Sequence, residues 1–321
     1  MRLALTITAL LAGLPALHAQ DLAQPLDRPG ELVKALPGDV PRTASGLLPT
    51  PPPPPARPEL NGAVERADEA AIRKAWLRTQ EPAIRLVQPA KDGEWTEGAE
   101  VAFAWETSGP VAFVRISYCG ERCRLGGYDR GAFDAFIVQK APNTGTYSWK
   151  PPWVDAIEMK VRIAALDEEG VKLAADERIV RFRPRFMAGL SNKGTLIAIT
   201  KTRQRLYYQR DGRIVRQHVV STAAGGYWTP IMKPGSYDGR RGAMGQVFGK
   251  SPNAWSGQYH CWMPYWMAIT ASGSHGIHAT SQPFYYALGS PASHGCVRQH
   301  RNDARVLYGM VSVGTPVYVF P

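Results

Sequence analysis

From residue 83 to residue 186, apolar side chains return at every second position, and that period commits the segment to β-strands. VAFAWE puts Val101, Phe103 and Trp105 on one face, VRISY does the same with Val114, Ile116 and Tyr118, and MKVRIAA with Met159, Val161 and Ile163. Turn signals separate the runs: NTG at Asn143 to Gly145 and EEG at Glu168 to Gly170. About seven short strands in about 100 residues predict a β-sandwich. Nothing in the segment carries chemistry, so binding or spacing is its expected task.

What precedes the strands is of another kind. MRLALTITALLAGLPALHAQ has one positive charge, an apolar run and Ala19 before Gln20, the pattern of a cleaved secretory signal over 1–19. The run is shorter than the roughly 20 apolar residues of a spanning helix, and no later stretch is long enough to span a membrane. An exported protein, in the periplasm or cell envelope, is expected. Residues 20–58 end in TPPPPPARP, whose consecutive prolines favour a stiff extended linker. Residues 60–80, LNGAVERADEAAIRKAWLRTQ, are rich in helix formers and predict one short amphipathic helix within a 59–82 segment.

Charge divides the chain again. From Phe186 to the end there are ten Arg and four Lys against three Asp and no Glu, so the whole formal excess of +11 falls there. A basic domain attracts anionic partners, and export favours an anionic wall polymer over nucleic acid. Of the four cysteines, Cys119 and Cys123 are close enough in CGERC for a local disulfide in an oxidising compartment. Cys261 and Cys296 remain.

From Gly194 the chain returns to strands. TLIAIT is followed by RLYYQRDGRIVRQHVVSTA, a hairpin turning at Asp211-Gly212. Asn302 or Asp303 can cap one helix through about Met310, and GTPVYVF supplies a closing strand. A mainly β domain over 187–321, with one or a few short helices, is expected.

SPASHGCVRQH, residues 290–300, is where chemistry concentrates. Cysteine acyl transfer needs a thiolate, a base for the thiol proton and donors for the oxyanion. Gly295 lets the backbone approach a substrate, so the amides of Gly295 and Cys296 are candidate oxyanion donors. His294 is too close along the chain to make a good base; His278, in GIHAT, is the better candidate. Arg298 can hold a carboxylate or fix the loop. Residue types leave two alternatives open: zinc on His275, His278 and Cys296 with His260 or Cys261, or an inert polar loop.

GIHAT followed, with eighteen positions from His278 to Cys296, by S-H-G-C-V-R resembles the L,D-transpeptidase catalytic domain, the YkuD family. The resemblance runs over roughly 194–320. It includes TLIAITKTRQRLYYQ, W-T-P…K-P-G-S-Y at Trp228 to Tyr237, MPYWMAI at Met263 to Ile269, and G-T-P-V-Y-V. It implies that Cys296 is the nucleophile, His278 the proton donor and acceptor, Ser293, His294 and Gly295 the loop, and Arg298 the motif's last member. Ala279 stands where the family often has Gly or Ser, so Thr280 or a backbone carbonyl must orient His278. Gln299 replaces a usually apolar residue and is expected to affect packing only; His275 and His300 are expected at the surface, and Cys261 as a packed thiol. Through Trp105 and the G-x-Y-x-W of Gly145 to Trp149, the 83–186 segment resembles immunoglobulin-like or fibronectin-like modules.

The resemblance implies transpeptidation of peptidoglycan stem peptides, donor and acceptor, with no cofactor or metal and no nucleic acid. Trp228, Tyr259, Trp262 and Trp266 are candidate cleft walls. The same acyl-enzyme resolved by water would be a carboxypeptidase or hydrolase, and one resolved by lysine would attach proteins to the wall. A non-catalytic wall-binding protein is the alternative of another class.

Overall fold

The structure, a computed structural model, describes residues 64–120 and 135–321. The expected signal segment, the Pro-rich linker and Cys123 lie outside the described residues. The expected helix forms as α1, Val64–Thr79. Among the described residues no helix is long and apolar enough to cross a membrane.

Eight strands follow: β1 (Ala83–Gln88), β2 (Glu94–Thr96), β3 (Val101–Ser108), β4 (Phe113–Cys119), β5 (Ala135–Pro142), β6 (Thr146–Trp149), β7 (Glu158–Leu166) and β8 (Lys172–Arg183). They form a three-stranded sheet, β1-β3-β6, and a five-stranded sheet, β2-β8-β7-β4-β5. The alternation read from sequence is what joins the two. Phe103 and Trp105 bury between the sheets against Val114, Ile116, Met159, Val161 and Ile163, with Val101 and Tyr118 at the margin. Trp105 keeps its one polar atom paired, Nε1 donating to Asn143 Oδ1 at 2.8 Å. Cys119 ends β4 fully buried.

A nine-stranded sheet makes up the rest. It contains β9 (Thr195–Thr200), β10 (Arg205–Arg210), β11 (Arg213–Ser221), β12 (Ser236–Asp238), β13 (Gly242–Ser256), β14 (Cys261–Thr270), β15 (Gly276–Ala279), β16 (Val297–Gln299) and β17 (Val317–Phe320). Their order across the sheet is β12-β13-β14-β15-β16-β11-β10-β9-β17. Asp211 and Gly212 both have positive φ, 45° and 78°, the turn a tight β10–β11 hairpin needs. Helix α2 (Arg301–Met310) packs Leu307 into the core made by Ile197, Tyr208, Met267, Ile277 and Val297. Lys250 reaches its C-terminal end and donates to the Tyr308 and Val311 carbonyls at 2.6 and 2.5 Å. The helix cap differs from expectation: His300, not Asn302 or Asp303, accepts from the Asn302 N–H through Nδ1 at 3.2 Å. His300 is also half-buried against Tyr285 rather than free at the surface.

Charge pairs tie the sandwich to the nine-stranded sheet. Arg183 is only 6 % exposed, and a cation so buried must be paired. It donates to Glu94 Oε1 and to Gln209 Oε1, each at 2.8 Å, and to the Gly212 carbonyl. Arg203 pairs with Glu97 and holds its carboxyl below the usual range, while Arg205 pairs with Asp155.

Candidate active site

The site is built by two short parallel strands. β15 and β16 pair with Ile277 beside Val297 and His278 beside Arg298. Ile277 and Val297 are fully buried in the core. Side chains alternate along a strand, so Gly276 and His278 fall on the opposite face, as do Cys296 and Arg298. His278, Cys296 and Arg298 accordingly line one cleft of ≈ 380 Å³, with Tyr227, Trp228 and Tyr259 among its walls.

The proton inventory follows from burial. His278 Nδ1 lies 2.8 Å from the Ala279 carbonyl, which can only accept, so Nδ1 carries the proton and Nε2 keeps its lone pair. The Ala279 carbonyl thus supplies the orientation that residue 279 cannot give through a side chain. Burial, helped by the Arg298 cation, lowers the His278 pKa to about 4. Trp266 contributes to that dryness, its ring 5.7 Å from the imidazole. Cys296 is half-buried; burial raises its thiol pKa, against which the Gly276 N–H and Arg298 favour the thiolate. Both shifts favour the neutral forms, a thiol and an imidazole lining one cleft.

The loop before Cys296 is fixed by its own bonds. Ser293 Oγ donates to the Cys296 carbonyl at 2.6 Å and accepts from the Gly295 N–H at 3.1 Å. The Gly295 amide, a candidate oxyanion donor, is thus engaged within the loop. Its carbonyl accepts from Thr229 Oγ1 at 2.8 Å. Gly295 has φ of 137°, and a Cβ there would meet His275 Nε2 at 2.9 Å, so glycine is required. His294 is exposed and sandwiched by aromatic contacts, Tyr259 stacked at 4.8 Å and Tyr227 edge-on at 4.3 Å. Arg298 Nη1 donates to the Ala292 carbonyl at 3.1 Å and fixes the loop from the other side.

Other expectations change. His275 is 8 % exposed, not at the surface; Nε2 donates to the Trp228 carbonyl at 3.2 Å, and Nδ1 accepts from Ser274 Oγ at 3.0 Å. Burial lowers its pKa too. Sequence offered only the serine-rich ASGSH as a signal, which reads as a surface turn. Gln299 does more than pack: fully buried, it accepts from His218 Nδ1 at 2.7 Å. Trp228 and Tyr259 wall the cleft as expected, Trp266 lies beneath it, and Trp262 is 59 % exposed beside Trp255. Cys261 is an exposed thiol opening onto the cleft, not a packed one. Among the described residues no three His, Cys, Asp or Glu side chains gather as a metal site, so the zinc alternative finds no ligand set there.

Gly276 offers a sharp test of this arrangement. A Cβ at 276 would sit 2.5 Å from a Trp266 ring carbon, forcing the ring off its place beside His278. Gly276→Ala is expected to lower kcat/KM by about 10²-fold. Steady-state rates, with thermal unfolding as a control for global damage, check this.

Residues 194–319 match the family model described as YkuD, L,D-transpeptidase catalytic domain. No curated protein matches the chain. Among solved structures, an L,D-transpeptidase from Stackebrandtia nassauensis is 29% identical over 41% of this chain and 57% of its own, with a TM-score of 0.33. One from Mycobacterium smegmatis is 16% identical over 75% of this chain and 100% of its own, with a TM-score of 0.34. One from Xylanimonas cellulosilytica is 22% identical over 43% and 64%, also at 0.34. These superpositions are too loose to add to the family match. The match itself covers β15, which carries His278, and the loop that brings Cys296 to the start of β16: residues 194–319 are a YkuD-family L,D-transpeptidase catalytic domain.

Proposed function

We propose that this chain is an exported cysteine acyltransferase that cross-links peptidoglycan stem peptides through a Cys296 thioester. His278 Nε2 takes the thiol proton as sulfur attacks the carbonyl joining the third stem residue to its terminal D-alanine. With the Gly295 amide committed, the oxyanion falls to the backbone N–H of Cys296, one such donor being worth about 3 kcal/mol. Collapse breaks the amide bond, and D-alanine leaves with the proton held by His278. An amine from a second stem attacks the thioester, gives its proton to His278, and releases Cys296 as thiol. The basic domain suits a substrate bearing several carboxylates. The division reads as signal peptide 1–19, linker 20–58, helical segment 59–82, an immunoglobulin-like module over 83–186 that spaces or binds, and the catalytic domain 187–321.

The observation that carries the reading is the imidazole pinned through Nδ1 on the Ala279 carbonyl, its free Nε2 on the face that holds the thiol. Intact-mass analysis with a carbapenem-type β-lactam tests it. One adduct on the Cys296 peptide supports an acylable nucleophile; an unmodified chain counts against it.

The same geometry sets the pH profile. His278 works as a base only when unprotonated, and its pKa stands at about 4. An ordinary histidine would lose half its base form near about pH 6.5. The acid limb of kcat/KM is therefore expected well below that value, with activity nearly level from neutral pH down to about pH 5. Initial rates across pH check it; a limb at the ordinary histidine position would mean a hydrated, displaced His278.

A further inference from the structure

Two free thiols open onto the cleft, and acyl transfer uses one. The other, Cys261, begins β14 at the end of the β13–β14 hairpin. The hairpin ladder closes at Ser256 opposite Cys261, and the turn beyond it carries His260 at a φ of 48°. This turn is folded onto the nucleophile loop. Tyr259, two residues before Cys261, stacks on His294, two residues before Cys296, with ring centroids 4.8 Å apart and planes 11° from parallel. Met263, two residues after Cys261, lines the same cleft. Cys261 and Cys296 thus line one cleft together.

We propose that Cys261 is a resolving thiol, so that oxidation by a hydroperoxide converts Cys296 into an intramolecular Cys261–Cys296 disulfide that switches the site off reversibly. In the first step His278 Nε2 takes the thiol proton as the Cys296 sulfur attacks the peroxide oxygen, and that proton passes to the departing oxygen. The O–O bond breaks, sulfur is oxidised to a sulfenic acid, and the peroxide is reduced to alcohol or water. In the second, the Cys261 sulfur attacks the sulfenic sulfur, the S–O bond breaks, and the hydroxyl leaves as water with the Cys261 proton. The product is one S–S bond for two electrons taken by the peroxide.

The arrangement serves a nucleophile that must stay accessible. A sulfenic acid left alone proceeds to sulfinic acid, which a thiol reductant does not reverse. An exposed thiol at the start of β14, in the same cleft, intercepts it first. Bridging needs the two Cα atoms within about 7 Å, a closure the proposal assigns to this turn, which is tied down by the Tyr259–His294 stack and the Tyr259 N–H bond to Ser256 Oγ. His294 and Tyr259 would then move together with the loop they join.

The test uses the full chain, reduced and desalted, then exposed to hydrogen peroxide and digested without reductant. The expected result is a Cys261–Cys296 peptide pair, two hydrogens lighter than the sum of its parts, from protein that stays monomeric on a non-reducing gel. Both thiols should return on treatment with dithiothreitol. In Cys261→Ser the same exposure should give Cys296 sulfinic acid that dithiothreitol does not recover. Sulfinic acid forming on Cys296 as fast in the unaltered chain as in the variant would overturn the proposal, as would Cys261 bridged only to a second chain. The unaltered chain decides by itself, whatever the variant's stability, and the mass readout is independent of whether the protein cross-links stems.

Discussion

Cys296→Ala is expected to end acyl transfer, lowering kcat by at least about 10⁴-fold, because the proposed thioester forms on the Cys296 sulfur. Cys261 shares the cleft, but it begins β14 and is not part of the β15–β16 pair that places His278. The fold should survive. Cys296 is half-buried, its loop is held by the Ser293 and Thr229 hydroxyls through backbone atoms, and none of those bonds uses the sulfur. A stability change within about 1 kcal/mol is expected. Turnover of a stem tetrapeptide and thermal unfolding, measured together, separate lost chemistry from lost structure. An inactive variant that is also unfolded would show that the sulfur supports the loop.

His278→Ala is expected to cost about 10²–10⁴-fold in kcat/KM, the usual worth of a positioned general base. The thiol it leaves is held protonated by burial, since its pKa is raised and the remaining help comes only from Arg298 and the Gly276 N–H. Alkylation of Cys296 by iodoacetamide near neutral pH should slow in parallel, a readout that mere loss of substrate binding would not move. Combining the two substitutions should do no more damage than Cys296→Ala alone, because the base acts through the nucleophile. Additive losses would place His278 in a separate role.

Much of this was open to reading because it depends on short-range patterns. The sandwich faces follow from alternation, and Phe103, Ile116 and Met159 are buried as the period requires. The β10–β11 turn follows from Asp211-Gly212, where two positive φ values are needed in succession. His278 and Cys296 are distinguished by motif, and the parallel register of β15 and β16 brings them to one face. The errors fall where long-range packing decides. His275 sits in a serine-rich turn, yet it is buried because the Gly295 loop, twenty residues on, covers it. The β13–β14 hairpin has no clean alternation in GAMGQVFGKSPNAWS, so neither its length nor the placement of Cys261 at the cleft could be read locally. The Gly295 amide looked free until the Ser293 hydroxyl was placed beside it.

The most direct measurement is mass spectrometry of the mature protein incubated with disaccharide-tetrapeptide, beside the Cys296→Ala variant. Cross-linked dimer with free D-alanine, both absent with the variant, is the expected result. Tripeptide without dimer would contradict cross-linking and give the thioester to water, and unchanged substrate with both proteins would contradict acyl transfer itself.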